Sequence, residues 1–177
     1  MRPIALSTIL SLLLFGCGDS GTPGSSGTAG ADGTAGSGGT GEFTATLSHT
    51  YEPRMLERAE ETSDFCQSWV LGNEEPLYVT KVRQTNEGGW HHSNWFFVPE
   101  AMFRPNTALE GSDAQLEGTW RCSDRGFQEY LAAAAGGVFF AQSTQALEEL
   151  QAFPNGSALE IPPRSMIVGG THLLNIT

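Results

Sequence analysis

What the sequence has little of already narrows the range of functions. It contains nine basic residues against 20 acidic ones, for a formal net charge of −11. Because a surface this negative repels phosphate backbones, we exclude nucleic acid as a partner. Long apolar runs are also scarce: Ile4–Phe15 is the one example, and it is too short to cross a bilayer as a helix. A multi-pass membrane protein is therefore excluded.

Familiar catalytic motifs are missing as well. The sequence has no Gly-x-Ser-x-Gly nucleophile elbow, and no Gly-rich run carries the Lys of a phosphate-binding loop. Adjacent carboxylates occur at Glu60-Glu61, Glu74-Glu75 and Glu148-Glu149, and such sequence neighbours are typical of solvated side chains. Nothing in these patterns supports a hydrolase or a nucleotide-binding enzyme.

The N-terminus has the pattern of an export signal. Arg2 precedes the apolar run Ile4–Phe15, and Cys17 follows directly after the small residue Gly16. This arrangement resembles a bacterial lipoprotein signal, in which the cysteine is acylated and becomes the new N-terminus. The resemblance implies that residues 1–16 are a signal peptide and that acylated Cys17 anchors an exported protein to the lipid bilayer of the bacterial cell envelope. The alternative is an ordinary secretory signal cut nearby, which also exports the chain.

A glycine-rich spacer, residues 17–41, follows the signal. It holds ten of the 22 glycines, with one at every third position from Gly18 to Gly36. This is the collagen period, but the stretch has a single proline, Pro23, where a triple helix needs many. We therefore expect a disordered linker that holds a folded domain, residues 42–177, off the membrane with a reach on the order of 25–30 Å.

The small number of cysteines is informative in an exported chain. If Cys17 carries lipid, Cys66 and Cys122 remain as an even pair. In an oxidising compartment a single disulfide is the default expectation for such a pair. Metal binding by the two sulfurs is the alternative, although neither lies in a Cys-x-x-Cys or similar motif.

The segment 42–177 reads as mostly strand, because β-branched and aromatic runs alternate with turn signals. The predicted strands are 43–47, 66–71, 77–83, 91–98, 137–141 and 164–176. An alanine run predicts a helix over 127–135, and a charged stretch suggests a second one over 54–63. Together these elements predict a mostly β fold, an antiparallel, jelly-roll-like β-sandwich with one or two short helices.

The histidines carry the clearest chemistry in the sequence. His91 and His92 are adjacent, and imidazole is a common ligand of copper and zinc. In a regular strand, neighbouring side chains point to opposite faces, so both rings reach one ion only if the backbone bends. Gly88-Gly89 just upstream would permit such a bend, or the ion would lie at a strand end. The alternative is one buried and one exposed imidazole without a metal.

Several stretches resemble a known family when they are taken together. They are DFCQSW at 64–69, YVTKV at 78–82, WHHSNWF at 90–96, GTWRC at 118–122, and IPPR through VGGTHLLN at 161–175. Their order and spacing are similar to the N-terminal domain of the copper type II, ascorbate-dependent monooxygenases. That family includes the peptidylglycine α-hydroxylating and dopamine β-monooxygenases.

The resemblance implies a metal site and a structural bond. His91, His92 and His172 would be the three imidazole ligands of the electron-transferring copper, and Cys66 and Cys122 would form a disulfide. Ascorbate would be the reductant. Three neutral imidazoles suit a Cu(I)/Cu(II) couple, because nitrogen donors accept both oxidation states of the metal. The remaining histidine matches nothing in the pattern and is expected at the surface or at a strand end; it is His49.

In that family a second domain binds the other copper and hydroxylates the substrate with dioxygen. The chain ends five residues after His172, so we expect it to lack that domain and the closing strand of its own domain. Three interpretations stay open. The chain is the electron-transferring part of a monooxygenase whose second copper domain lies on a separate or downstream polypeptide, a non-catalytic copper-binding or copper-buffering lipoprotein, or a metal-free structural sandwich. Whether the chain is itself an enzyme is left open.

Overall fold

Two antiparallel sheets form the fold in a computed structural model, which describes residues 4–15, 43–103, 117–154 and 157–176. The first sheet has the order β2, β1, β4, β8, with β9 beside β4. Its strands are β1 (Ile4–Phe15), β2 (Phe43–Leu56), β4 (Leu77–Asn86), β8 (Glu148–Ala152) and β9 (Leu159–Ile161). This architecture confirms the predicted mostly β, antiparallel class.

The second sheet has the order β6, β3, β10, β5, β7. Its strands are β3 (Glu61–Val70), β5 (Trp90–Pro99), β6 (Gly118–Trp120), β7 (Gly137–Gln142) and β10 (Ser165–Leu174). One α-helix, α1 (Glu129–Ala135), and two short 3₁₀ segments, Glu100–Phe103 and Cys122–Arg125, complete the described elements. None of these helices is long and apolar enough to cross a membrane.

Strand β5 explains how the sandwich and the helix share one sheet. Trp95 and Phe97 belong to the core between the sheets, whereas Phe96 and Val98 pack on the other side, in a cluster that includes Ala132 of α1. Side chains alternate between the faces of a strand, so a strand covered on both sides needs apolar residues at every position. The continuous run of aromatic residues in β5 therefore fits its central place.

The second predicted helix, over 54–63, is wrong. Strand β2 continues to Leu56, a turn follows, and β3 begins at Glu61. The charged residues form that turn: Arg54 donates a 3.0 Å hydrogen bond to Glu60, and the same carboxylate accepts the backbone N–H of Glu57 at 2.8 Å. In the sequence these charged residues suggest the exposed face of a helix. In the structure they instead stabilise the turn that connects β2 of the first sheet to β3 of the second. The predicted helix over 127–135, in contrast, is confirmed as α1.

The disulfide between Cys66 and Cys122 is present. Cys66 lies buried in β3, and Cys122 begins the 3₁₀ segment that follows β6. Next to it, the Asp64 carboxylate accepts hydrogen bonds from Arg121 and from the backbone and hydroxyl of Ser123, at 2.7–2.8 Å. These contacts hold the segment after β6 against β3.

Two sequence predictions concern the N-terminal part of the chain. The apolar run Ile4–Phe15, predicted as the core of a signal peptide, is strand β1 in this structure of the full chain. The predicted linker over 17–41 and the lipid site at Cys17 lie outside the described residues, and both stay predictions.

Candidate metal centre

Three histidines converge at one end of the second sheet, where β5 begins and β10 ends. His91 and His92 come from β5, and His172 comes from the neighbouring strand β10. One ring nitrogen from each lies within 4.8 Å of the others, and the ring centroids are 4.8–5.3 Å apart. Among the described residues this is the group of three that can hold a metal ion.

A β-bulge allows the adjacent residues His91 and His92 to reach the same side of the sheet. His172 pairs with His92, but the next residue of β10, Leu173, pairs with Trp90, so His91 is the extra residue of β5. A bulge lets two consecutive side chains point to the same side of the sheet. Accordingly, His91 is partly exposed and His92 is exposed, whereas Trp90 and Ser93 on either side of them are buried.

The glycines upstream of the bulge have a separate role. Gly88 and Gly89 adopt positive φ angles of 112° and 66°, which few residues other than glycine tolerate. The Gly89 carbonyl accepts a 2.7 Å hydrogen bond from the backbone N–H of Leu174, two residues after His172. The turn therefore ties the start of β5 to β10 beside the histidines, and the bend itself lies at His91.

A carboxylate orients the third histidine. Nε2 of His172 lies 2.7 Å from Oε1 of Glu61, and Nδ1 lies 3.0 Å from Nε2 of His92. Because a carboxylate accepts hydrogen bonds, it favours the tautomer with the proton on Nε2 and a lone pair on Nδ1. That lone pair faces His92, where an ion would be shared by the two rings. Carboxylate–histidine–metal arrangements of this kind are common in metal sites.

The distance between His92 and His172 fits an imidazole site, and the three ring nitrogens, which lie within 4.8 Å of one another, would have to move closer to share one ion. Two nitrogens that bind one ion at about 2.0 Å lie roughly 3.3 Å apart in tetrahedral geometry. The 3.0 Å between His92 and His172 is close to that value. Nδ1 of His91 is buried and has no hydrogen-bond partner among the described residues. An unpaired buried nitrogen costs on the order of 1–3 kcal/mol, and an ion bound at this nitrogen would remove that penalty.

The electrostatic environment keeps a ligand neutral. Burial lowers the pKa of His92, and the neighbouring His172 and His91 lower it further, while the Glu129 carboxylate opposes them. A neutral imidazole has the free lone pair that metal binding requires. Glu129 also accepts a 2.9 Å hydrogen bond from Asn94. The rings of His92 and His172 line a shallow pocket of about 160 Å³, and Glu129 and Phe127 are also part of its wall.

Glu61 is the residue of this site that the sequence did not indicate. Adjacent to Glu60, it has the appearance of a solvated carboxylate, and its partner lies 111 positions away in the chain. Only the pairing of β3 with β10, in which Glu61 is opposite Leu174, brings it to His172. No spacing rule connects two such residues, so the sequence held no usable signal.

His49 lies apart from the cluster, in the middle of β2 on the other sheet. Its ring stacks on Trp69 at 5.3 Å and meets Tyr51 edge-on at 4.5 Å, and Nδ1 lies 3.6 Å from Glu117. Burial lowers its pKa, with the charge of Glu117 acting in the opposite direction. The residue is half-buried, so the expected surface or strand-end position is only partly right.

Comparisons with protein-family models, with curated proteins and with solved structures found no match for this chain. The geometry of the site shows three imidazoles close enough to bind a metal ion, with one of them oriented by a carboxylate.

Proposed function

We propose that the protein binds one copper ion through His91, His92 and His172 and serves as an electron-transferring copper domain. The observation that supports this function is the bulge at His91, which brings two adjacent histidines and a distant third together. Bulges are enriched next to active sites, where they re-aim a side chain, as well as at sheet edges.

The donor set favours copper. All three candidate ligands are imidazoles, which suit copper and zinc, and copper binds most tightly in the usual order of divalent metals. Copper would supply one-electron chemistry that zinc lacks. This chain's own residues would hold the ion, fix the tautomer of His172 through Glu61, and leave the His92 side open to the shallow pocket, where a reductant such as ascorbate has access.

The setting that we propose is the bacterial cell envelope. The signal pattern and Cys17 predict an exported protein that is anchored by lipid. The disulfide between Cys66 and Cys122 supports an oxidising compartment, since such bonds are rare in the cytosol. The partner of the domain would be a second copper domain, on a separate or downstream polypeptide, which carries out hydroxylation as in the ascorbate-dependent monooxygenases.

Copper titration of the purified protein tests the proposal. We expect one tightly bound copper per chain, with nitrogen-donor signals in the electron paramagnetic resonance spectrum and loss of the Cu(II) signal on addition of ascorbate. Replacing His91, His92 and His172 together by Ala should abolish binding, whereas His49→Ala is the matched control and should keep it. Unchanged stoichiometry in the triple variant would contradict the proposal. Copper that is bound but not reduced would favour the copper-buffering interpretation.

A further inference from the structure

Strand β1 lies between two other strands of the first sheet. It pairs antiparallel with β2 from Ile4 opposite Leu56 to Phe15 opposite Phe43. On its other side it pairs antiparallel with β4, from Thr8 to Phe15. Among the described strands, β1 is the one hydrogen-bonded neighbour of β2. The first sheet thus depends on β1 to hold β2 beside β4.

The same residues form the apolar core of the predicted export signal. Cleavage before Cys17 would remove the whole of β1 from the exported protein. The gap would be one strand wide, since neighbouring strands lie about 4.8 Å apart and β2 and β4 would be separated by roughly twice that distance. Both strands would then present unpaired N–H and C=O groups toward each other, which is a template for a further strand.

Direct closure of this gap is unfavourable. Because β1 is antiparallel to both neighbours, β2 and β4 are parallel to each other and would have to form a different hydrogen-bond pattern. Each is also fixed by the core, through Tyr51 of β2 and through Val79 and Val82 of β4, all at most 1% exposed. Moving either strand by a strand width would pull these side chains out of their packing.

We propose that the position between β2 and β4 is a strand-acceptor site in the processed protein, filled by an extended apolar strand of a partner polypeptide. The strand would run antiparallel to both neighbours and complete the sheet by main-chain hydrogen bonds. Donor strands complete open sheets in this way in other systems, with alternate side-chain positions providing specificity. This inference does not depend on copper binding.

The flanking residues define the chemistry of the donor strand. Its positions opposite Val82 and Gln84 face the core, because both of these residues are fully buried. The position between them is opposite Arg83, which is exposed. The donor therefore needs apolar residues at alternate positions and tolerates polar ones between them, over about eight to eleven residues. The segment now in the site has this alternation in its sequence, with Leu12 opposite Val82, Ser11 opposite Arg83 and Leu10 opposite Gln84.

The test compares two forms of the protein. The first is the full chain, made without export, in which β1 is retained. The second is the processed, acylated protein extracted from the cell envelope in detergent and separated from any bound polypeptide, whose mass should show a single chain that begins at Cys17. Amide hydrogen exchange is measured across β2 and β4 in each form, and the processed form is then mixed with a synthetic peptide of residues 4–15 flanked by lysines.

We expect slow exchange in the full chain, fast exchange in the processed form, and at least about tenfold slower exchange when the peptide is added. The matched control is the same peptide with Leu10→Pro, which partitions into detergent similarly but cannot complete the ladder and should give no protection. Three outcomes would overturn the proposal. The first is an exported protein that keeps residues 1–16, and the second is a processed form that is not protected by the peptide more than by its proline variant. The third is slow exchange in a processed form that its mass shows to be free of any other polypeptide.

Discussion

The carboxylate of Glu61 lies 2.7 Å from Nε2 of His172, while Nδ1 of the same ring faces Nε2 of His92 at 3.0 Å. The hydrogen bond therefore acts on the side of the imidazole that does not face the other histidines. A ring held in this way keeps its lone pair directed at the centre of the cluster. In the metal-free protein, the orientation of the His172 ring is thus set by Glu61, which is not itself one of the proposed ligands.

Removal of this carboxylate should weaken copper binding. We expect Glu61→Ala to lower copper affinity by about 10–100-fold, the range found when partners of metal ligands are lost. Glu61→Gln, which keeps a carbonyl acceptor for the Nε2 proton, should lose less. Competition with a chelator of known affinity measures the change. Glu60→Ala is the matched control, because Glu60 contacts Arg54 rather than a histidine, and an equal loss there would rule out the orienting role of Glu61.

Copper affinity should fall as the pH is lowered. Protons compete with the metal for imidazole nitrogens, and the lowered pKa of His92 keeps this ring neutral at pH 7. Affinity should therefore change little above about pH 6.5, the ordinary pKa of imidazole, and fall as the pH drops through the lower pKa of His92. Titrations at pH 8, 7, 6 and 5 measure the profile. His49→Ala should leave its shape unchanged, and an affinity equal at pH 7 and pH 5 would show that the histidines are not the ligands.

The same lowered pKa affects the stability of the metal-free protein. A histidine whose pKa is depressed by folding stabilises the fold fully above its unfolded pKa, and this contribution is lost as the pH falls from there toward the folded pKa. His92 and His49 both have lowered pKa values. We expect the melting temperature to fall below about pH 6.5, and less so in His49→Ala than in the parent protein. An identical fall in the variant would contradict a contribution from His49.

Loss of the disulfide should destabilise the domain strongly. The bond joins residues 56 positions apart, and closing a loop of that length stabilises by about 4 kcal/mol in the chain-entropy model. We expect the double variant Cys66→Ala/Cys122→Ala to lose a stability of this order in urea denaturation. The parent protein under reducing conditions is the control and should show a similar loss. A loss well below 1 kcal/mol in both would mean that the loop is constrained by other contacts, such as those of Asp64.

The two glycines before His172 should respond differently to substitution. A Cβ added at Gly169 would overlap the Trp95 ring, which is fully buried and cannot retreat. At Gly170 the nearest atom would be Oε1 of Glu129, at 3.1 Å, on a side chain that can move. We expect Gly169→Ala to lower the free energy of unfolding by about 1–3 kcal/mol, as overpacking does, and Gly170→Ala to lower it less. Equal effects in denaturant titrations would contradict this packing argument.

Much of the fold followed from local patterns. The strands over 66–71, 77–83, 91–98 and 137–141 were predicted within the bounds of β3, β4, β5 and β7, apart from one residue at the end of β3. Local chemistry was sufficient there, because apolar and β-branched residues favour strands wherever the strand ends up. It failed over 54–63, where charged residues form a turn between sheets through contacts among Arg54, Glu57 and Glu60.

A short pattern that occurs twice shows the same limit: Gly-Gly-x-His stands at residues 88–91 and again at residues 169–172. Two occurrences suggest chance or two similar turns before strands. Gly88-Gly89 does form a turn, with positive φ angles, but Gly169-Gly170 lies inside β10, where Gly169 makes room for Trp95. Identical residues serve different purposes because the need for glycine comes from backbone angles at one place and from a neighbouring ring at the other.

The sequence by itself determined that this chain carries an acidic, mostly β domain with one pair of cysteines, adjacent histidines and an apolar N-terminal run. These are properties of composition, spacing and side-chain alternation, which are local. Only the tertiary structure decided that His91 bulges, that Glu61 reaches His172, and that residues 4–15 lie between β2 and β4. Each of these depends on the register between strands far apart in the chain. Alternation indicates which side chains share a face, but the register is set by how the strands pair and pack.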